Sequence, residues 1–146
     1  MEQFSLDTIK CDRIRGKCVS SPSKSAVIVD DDETIRSILQ YKLSSAGFDI
    51  TACHDGVEGR AVLNGPNADP DVVILDVMMP RLKGTDLLRE IRRGELAVRR
   101  DIPVVMLTSR GLEADVLTGL ELGADEYLTK PFSPNELLVR ITKLVN

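Results

Sequence analysis

Apolar residues along this chain fall into short unbroken runs that end on polar residues, separated by stretches at helical spacing. Val27-Ile28-Val29 runs into Asp30-Asp31-Asp32, and Val72-Val73-Ile74-Leu75 into Asp76. Val104-Val105-Met106-Leu107 runs into Thr108, and Tyr127-Leu128-Thr129 into Lys130. Short runs that are apolar throughout suit parallel strands buried on both faces. Phe48 to Cys53 alternates and reads as a further strand. Between the strands, Ile35, Ile38, Leu39 and Leu43 repeat near helical spacing, with Gly47 as the stop. Val57 to Leu63 is a short helix ending at Asn64-Gly65-Pro66, and Gly84 opens a helix carrying Leu87, Leu88 and Ile91. Leu112 to Leu122 is the next helix, with Gly123 just past its end. Ser133-Pro134-Asn135-Glu136 has the form of a capping box, with Leu137, Leu138, Ile141, Leu144 and Val145 as the apolar face of the last helix.

Strands that alternate with helices pair in parallel through right-handed crossovers, with helices on both faces. The expected fold is α/β, a (βα)5 doubly wound, flavodoxin-like parallel sheet with strand order 2-1-3-4-5. That order sets the ends of the first and third strands side by side at the switch point, where open α/β sheets bind ligands. Asp30 and Asp31 then meet Asp76, with Thr108 and Lys130 on the other side. Residues 1–24 differ from the rest: they are polar, and Ser20-Ser21-Pro22-Ser23-Lys24-Ser25 reads as a linker. The expected organisation is a flexible arm over 1–24, with a short helix around Leu6 to Ile14, and one domain over 25–146.

The residues at this sheet edge have a common chemical theme. An aspartate before a helix is often only a cap, and Asp32 fits that role best. Capping does not explain a cluster facing Asp76, because like charges this close repel unless a cation joins them. An ammonium and a hydroxyl nearby suit an anion with several oxygens. A phosphoryl group with Mg²⁺ satisfies both demands. Asp76 would be the nucleophile, forming an acyl phosphate; Lys130 would neutralise phosphoryl charge and the Thr108 hydroxyl would donate to one oxygen. His54 reads as a surface residue, and Tyr127 lies at the edge beside Lys130.

The 146 residues suit one domain, and 42% apolar with 29% charged residues is ordinary for a globular protein. A formal net charge of −4, without a basic stripe, argues against nucleic acid as the main partner. No run reaches the roughly 20 apolar residues of a membrane span, and no signal peptide is legible, so a cytoplasmic location is expected. Cys11, Cys18 and Cys53 show no metal-binding spacing and are expected as reduced thiols.

Four motifs in this order resemble the receiver domain of two-component response regulators. They are Val27 to Asp31, Val73 to Pro80, Val105 to Ser109 and Tyr127 to Phe132, and the resemblance covers about residues 25–146. It implies that Asp76 accepts phosphate from the phosphohistidine of a sensor histidine kinase or a phosphotransfer protein. It implies that Asp31 and Asp76 ligate Mg²⁺ directly, Asp30 through water and Met78 through its carbonyl. Thr108 and Tyr127 would move on phosphorylation and reshape the face made by the Leu112–Leu122 helix, the Tyr127–Thr129 strand and the last helix. The closest subgroup is the receivers of winged-helix transcription regulators, in which the positions of Met78 and Arg110 influence how long the phosphate lasts. The pairing here implies slow self-dephosphorylation.

Two features depart from that subgroup. The chain ends at Asn146, so the reading is a single-domain regulator that controls a protein effector or passes phosphate along a relay, with no direct contact to nucleic acid. Val116 stands where the subgroup carries a basic residue for dimer salt bridges, although Glu136 and Arg140 remain, so a monomer or weak phosphorylation-dependent dimer is expected. The rival reading is an enzyme. Asp30-Asp31-Asp32-Glu33-Thr34 also resembles the first motif of haloacid-dehalogenase phosphatases, with Asp30 as nucleophile and Asp32 as acid/base. That family needs a further acidic motif after the lysine, where only Glu136 stands, and it leaves Asp76 unexplained. A scaffold that binds a partner without phosphorylation is the third reading.

Overall fold

The computed structural model describes residues 11–12, 17–18, 24–66, 68–79, 81–108 and 122–145. Two short strands, β1 (Cys11–Asp12) and β2 (Lys17–Cys18), pair antiparallel with Cys11 opposite Cys18. The helix expected around Leu6 to Ile14 is therefore not continued through Cys11 and Asp12, which are extended; both residue types are poor helix formers. The main body runs β3 (Lys24–Val29), α1 (Glu33–Ser45), β4 (Phe48–Cys53), α2 (Gly56–Leu63), β5 (Val72–Asp76), α3 (Gly84–Arg92), β6 (Val104–Thr108), β7 (Glu126–Thr129) and α4 (Pro134–Val145). Most of the helix expected over Leu112–Leu122, together with Pro80, Ser109, Arg110 and Val116, lies outside the described residues.

Strands β3 to β7 form one sheet in the order β4-β3-β5-β6-β7, with every neighbouring pair parallel. This is the expected order 2-1-3-4-5. Strands β5, at its centre, and β6 beside it are buried along their whole length, as their apolar runs require. Alternation along β5 divides the core. Val73 and Leu75 face Leu87, Leu88 and Ile91 of α3. Val72 and Ile74 face Leu39 and Leu43 of α1 and Leu137 and Ile141 of α4. Each of these side chains contributes roughly 1.5–3 kcal/mol by leaving water.

The strands reach further than their apolar runs. Lys24 and Ser25, read as linker, begin β3, where they pair with Phe48 and Asp49 of β4. Asp71 secures that start: its carboxylate accepts the Ser25 N–H at 2.8 Å, and its own N–H donates to the Ser25 carbonyl at 2.8 Å. At the other end, Asp76 and Thr108 are the last residues of β5 and β6, because backbone pairing continues past the last apolar residue. Among the described residues, no helix is long and apolar enough to cross a membrane.

Candidate functional site

The carboxyl ends of β3, β5, β6 and β7 bring together Asp30, Asp76, Thr108 and Lys130. Asp30 follows β3 and is fully buried. Its N–H donates to the Cys53 carbonyl at 3.1 Å, which continues the β3–β4 ladder by one bond and aims the side chain inward. Its Oδ1 accepts the Asp32 N–H at 2.9 Å, its Oδ2 accepts from Lys130 Nζ at 2.9 Å, and its carbonyl accepts from Arg36 at 2.7 Å. A buried charge needs such partners.

The three consecutive acids separate into different roles. Asp32 is the N-cap of α1, with its Oδ1 accepting from Thr34 N at 2.9 Å and Ile35 N at 3.3 Å. Asp31 is exposed, yet it supplies a carboxylate oxygen to the group formed with Asp30 and Asp76, whose oxygens lie within 4.8 Å of one another. Asp76 is buried at the end of β5, with Lys130 Nζ 3.6 Å from its Oδ2. Burial, then the Asp30 charge, pushes its carboxyl up to about 7, against the lowering effect of Lys130. Burial disfavours the Lys130 ammonium, but the hydrogen bond and charge of Asp30, with Asp76, leave it above its ordinary value.

Thr108 is buried at the end of β6, and its carbonyl accepts the Lys130 N–H at 2.6 Å, which fixes where the lysine leaves β7. The Lys130–Pro131 peptide is cis. Tyr127 lies opposite Met106 in the β6–β7 register, further from the edge than Lys130, and packs half-buried against the α3 side of the core. Met78 is 45% exposed, and its N–H points to Asp76 Oδ1 at 3.4 Å. Of the expected site residues, Asp30, Asp31, Asp76 and Lys130 meet directly, Met78 and Thr108 adjoin them, and Arg110 lies outside the described residues. His54 is exposed and bonded to Glu58, as a surface residue would be.

Three features escaped the sequence reading. Gly84 seals the loop that follows Asp76: its N–H donates to the Val77 carbonyl at 2.9 Å, and a Cβ there would stand 2.1 Å from the Asp76 carbonyl oxygen. Glycine at the head of a helix is a weak signal without the fold. Arg36 anchors the Asp30 carbonyl from the first turns of α1, a contact no spacing announces. Asp55 is the buried N-cap of α2, accepting from Glu58 N at 2.8 Å, and the pair Asp55-Gly56 before an apolar run was a legible cap signal. On the last helix the Ser133 hydroxyl accepts the Glu136 N–H at 3.4 Å, while the Glu136 carboxylate takes Arg140 at 3.0 Å. Arg140 also bonds Glu126, so the two residues expected at a dimer contact are paired within one chain.

Chemically, the site offers three hard carboxylate donors suited to a small divalent cation, beside an ammonium suited to an anion. Asp76 keeps its proton up to about 7 because it is buried and, after that, crowded by other acids. That is the condition a divalent cation relieves.

Comparison with known proteins agrees with this reading. The family model described as a response regulator receiver domain matches residues 26–142. The chain is 44% identical over 131 residues to a probable transcriptional regulator, ycf27, of Guillardia theta, covering 88% of this chain and 49% of that one. It is 40% identical over 123 residues to the alkaline phosphatase synthesis transcriptional regulatory protein PhoP of Bacillus subtilis, covering 84% of this chain and 49% of that one. Among solved structures, the receiver domain of the Francisella response regulator 1452 superposes with a TM-score of 0.76 at 34% identity, covering 84% of this chain and 96% of that one. The chain spans about half the length of the curated relatives it matches. Those relatives are named as transcriptional regulators, so the expectation that nucleic acid is no partner, drawn from the charge of these residues alone, is not carried forward. A chain with this sheet, this acidic edge and these relatives belongs to the response regulator receiver domain family.

Proposed function

We propose that this protein is a phosphorylation-activated switch of a two-component system, with Asp76 as the phosphoacceptor. The observation that supports this most is the placement of Lys130 between Asp30 and Asp76, beside a third carboxylate from Asp31. A carboxylate oxygen of Asp76 attacks the phosphorus of a phosphohistidine on a histidine kinase or phosphotransfer protein. The P–N bond breaks, the imidazole nitrogen leaves with the electron pair and takes a proton, and an aspartyl phosphate remains. Lys130 then pairs with a phosphoryl oxygen and the Thr108 hydroxyl donates to another. Asp30, Asp31, Asp76 and the Met78 carbonyl are the groups that would hold Mg²⁺. When bound, the ion offsets the charge of the acids and of the incoming phosphoryl group.

Phosphorylation changes the charge beside Thr108, and Tyr127 on the neighbouring strand follows, which alters the face of β7 and α4 presented to an effector or relay partner. Hydrolysis of the phosphate is slow, tuned by Met78 and Arg110. Self-association is weak and follows phosphorylation; Glu136 and Arg140, the residues expected at its contact, already pair with each other within one chain.

Intact-mass spectrometry after incubation with phosphoramidate and Mg²⁺ tests the assignment. A single phosphate adduct that needs Mg²⁺ and is lost in Asp76→Asn is expected. An adduct lost with Asp30→Asn but kept with Asp76→Asn would favour the phosphatase reading, and no adduct on wild type would favour the scaffold.

A further inference from the structure

The loop from Val77 to Lys83 carries Met78 and joins the acceptor strand to α3. Gly84 ties down its far end; a second element, the start of α2, holds its middle. Asp55 is 6% exposed at its side chain, and its Oδ2 lies 3.4 Å from the Arg81 guanidinium. Arg81 is the one non-glycine residue with positive φ among the described residues, at 74°. A left-handed arginine is unfavourable by itself, so an outside contact must help to maintain it. Next to Asp55, Gly56 brings the α2 backbone against the same loop: a Cβ on Gly56 would meet the Leu82 carbonyl oxygen at 2.5 Å. The Asp55 carboxylate is itself fixed, because its Oδ1 accepts the Glu58 N–H at 2.8 Å and its Oδ2 also lies 3.4 Å from His54 Nε2. The cap that starts α2 thus also grips the loop after the acceptor.

From this geometry we infer that Asp55 and Arg81 are positioning residues for phosphoryl acceptance: the pair clamps the loop so that the Met78 carbonyl faces the acidic cluster. The inference rests on the reading that this cluster takes Mg²⁺ and that Asp76 takes phosphate. Neither residue touches the phosphoryl group. Their action is on the loop, and it appears as the Mg²⁺ concentration the site requires. A loosened loop offers one ligand less often, which weakens ion binding, while the reacting groups of a loaded site are unchanged.

The experiment measures the rate of adduct formation from phosphoramidate against Mg²⁺ concentration, for wild type, Arg81→Gln, Arg81→Lys, Asp55→Asn and the Arg81→Gln/Asp55→Asn double variant. Asparagine retains the cap of α2, and glutamine and lysine keep the same backbone demand at position 81, so each variant is expected to fold. Thermal melting without Mg²⁺ confirms that, and the rise in Tm with added Mg²⁺, expected at higher concentration in both single variants, reads ion binding apart from phosphorylation. The half-saturating Mg²⁺ concentration should rise about 3- to 10-fold in Arg81→Gln and Asp55→Asn, with the rate at saturating Mg²⁺ within twofold of wild type. Lys at 81 should restore part of the loss, and the double variant should be no worse than the weaker single one, because both remove the same contact. Wild-type Mg²⁺ dependence in the folded single variants would overturn the clamp while leaving the acceptor assignment intact. Additive losses in the double variant would overturn it equally. Absence of an adduct on wild type would instead overturn the acceptor reading, and the clamp with it.

Discussion

Lys130 Nζ lies 2.9 Å from Asp30 Oδ2 and 3.6 Å from Asp76 Oδ2, so one ammonium spans two buried carboxylates from different strands. Its stem comes off β7, and the bond from the Lys130 N–H to the Thr108 carbonyl holds the turn in place. The lysine therefore carries a structural task besides the chemistry proposed for it: it is what makes the crowded acids tolerable.

Lys130→Ala should lower stability by about 3 kcal/mol in the absence of divalent cation, because it strands a buried Asp30 without its charge partner. The loss should be larger at pH 8 than at pH 5.5, where Asp76 holds its proton. Chemical denaturation at the two pH values measures both quantities. Equal losses at both would mean that Lys130 does not neutralise Asp76.

Asp76 sets the pH dependence of the metal-free protein. Its carboxyl is raised to about 7 in the folded state, well above its ordinary range. Between about pH 4 and pH 7 the folded state thus holds a proton that the unfolded state has released. This contribution to stability is full below the ordinary carboxylate value and lost as pH rises towards 7. Asp76→Asn should remove that slope and be more stable than wild type by on the order of 2 kcal/mol at pH 8 without Mg²⁺. Saturating Mg²⁺ should raise the wild-type Tm by mass action and narrow the gap. Melting curves across pH 4 to 8, with and without Mg²⁺, are the check; a mutant less stable than wild type at pH 8 would mean that Asp76 is structurally paired.

Gly84→Ala should impair the site more than the fold. The added methyl would press on the Asp76 carbonyl oxygen, where 2.1 Å is far inside contact distance, so the strand end or the loop must shift. Overpacking of this kind costs typically 1–3 kcal/mol. The phosphate adduct should form at least tenfold more slowly, since displacements near 1 Å cost about a hundredfold in well-oriented reactions. Timed intact-mass measurements beside a melting curve separate the two effects. A folded Gly84→Ala variant with wild-type kinetics would show that the acceptor tolerates the shift.

Much of this molecule could be read along the chain. Burial on both faces makes a strand apolar from end to end, and a strand must stop where polar residues resume. The runs ending at Asp30, Asp76, Thr108 and Lys130 therefore stated both the sheet and the polar residues gathered at its carboxyl-terminal edge. Alternation of strands with helices then left few topologies, and the observed strand order is the expected one. These are local properties, carried by neighbouring residues and their periodicity.

What tertiary structure decided is which groups meet. Of three consecutive aspartates, Asp32 could be read as the cap of α1, but only the fold shows Asp30 buried, with its N–H bonded to the Cys53 carbonyl, and Asp31 exposed. Lys130 and Asp30 are 100 residues apart, and no periodicity measures a distance across that separation. The close approach of Gly84 to the Asp76 carbonyl, and the contact of Asp55 with Arg81, arise because loops from different strands converge on one sheet edge. Sequence pattern records which side chains prefer water. It does not record which loops the folded sheet presses together, and that packing sets the geometry of the site.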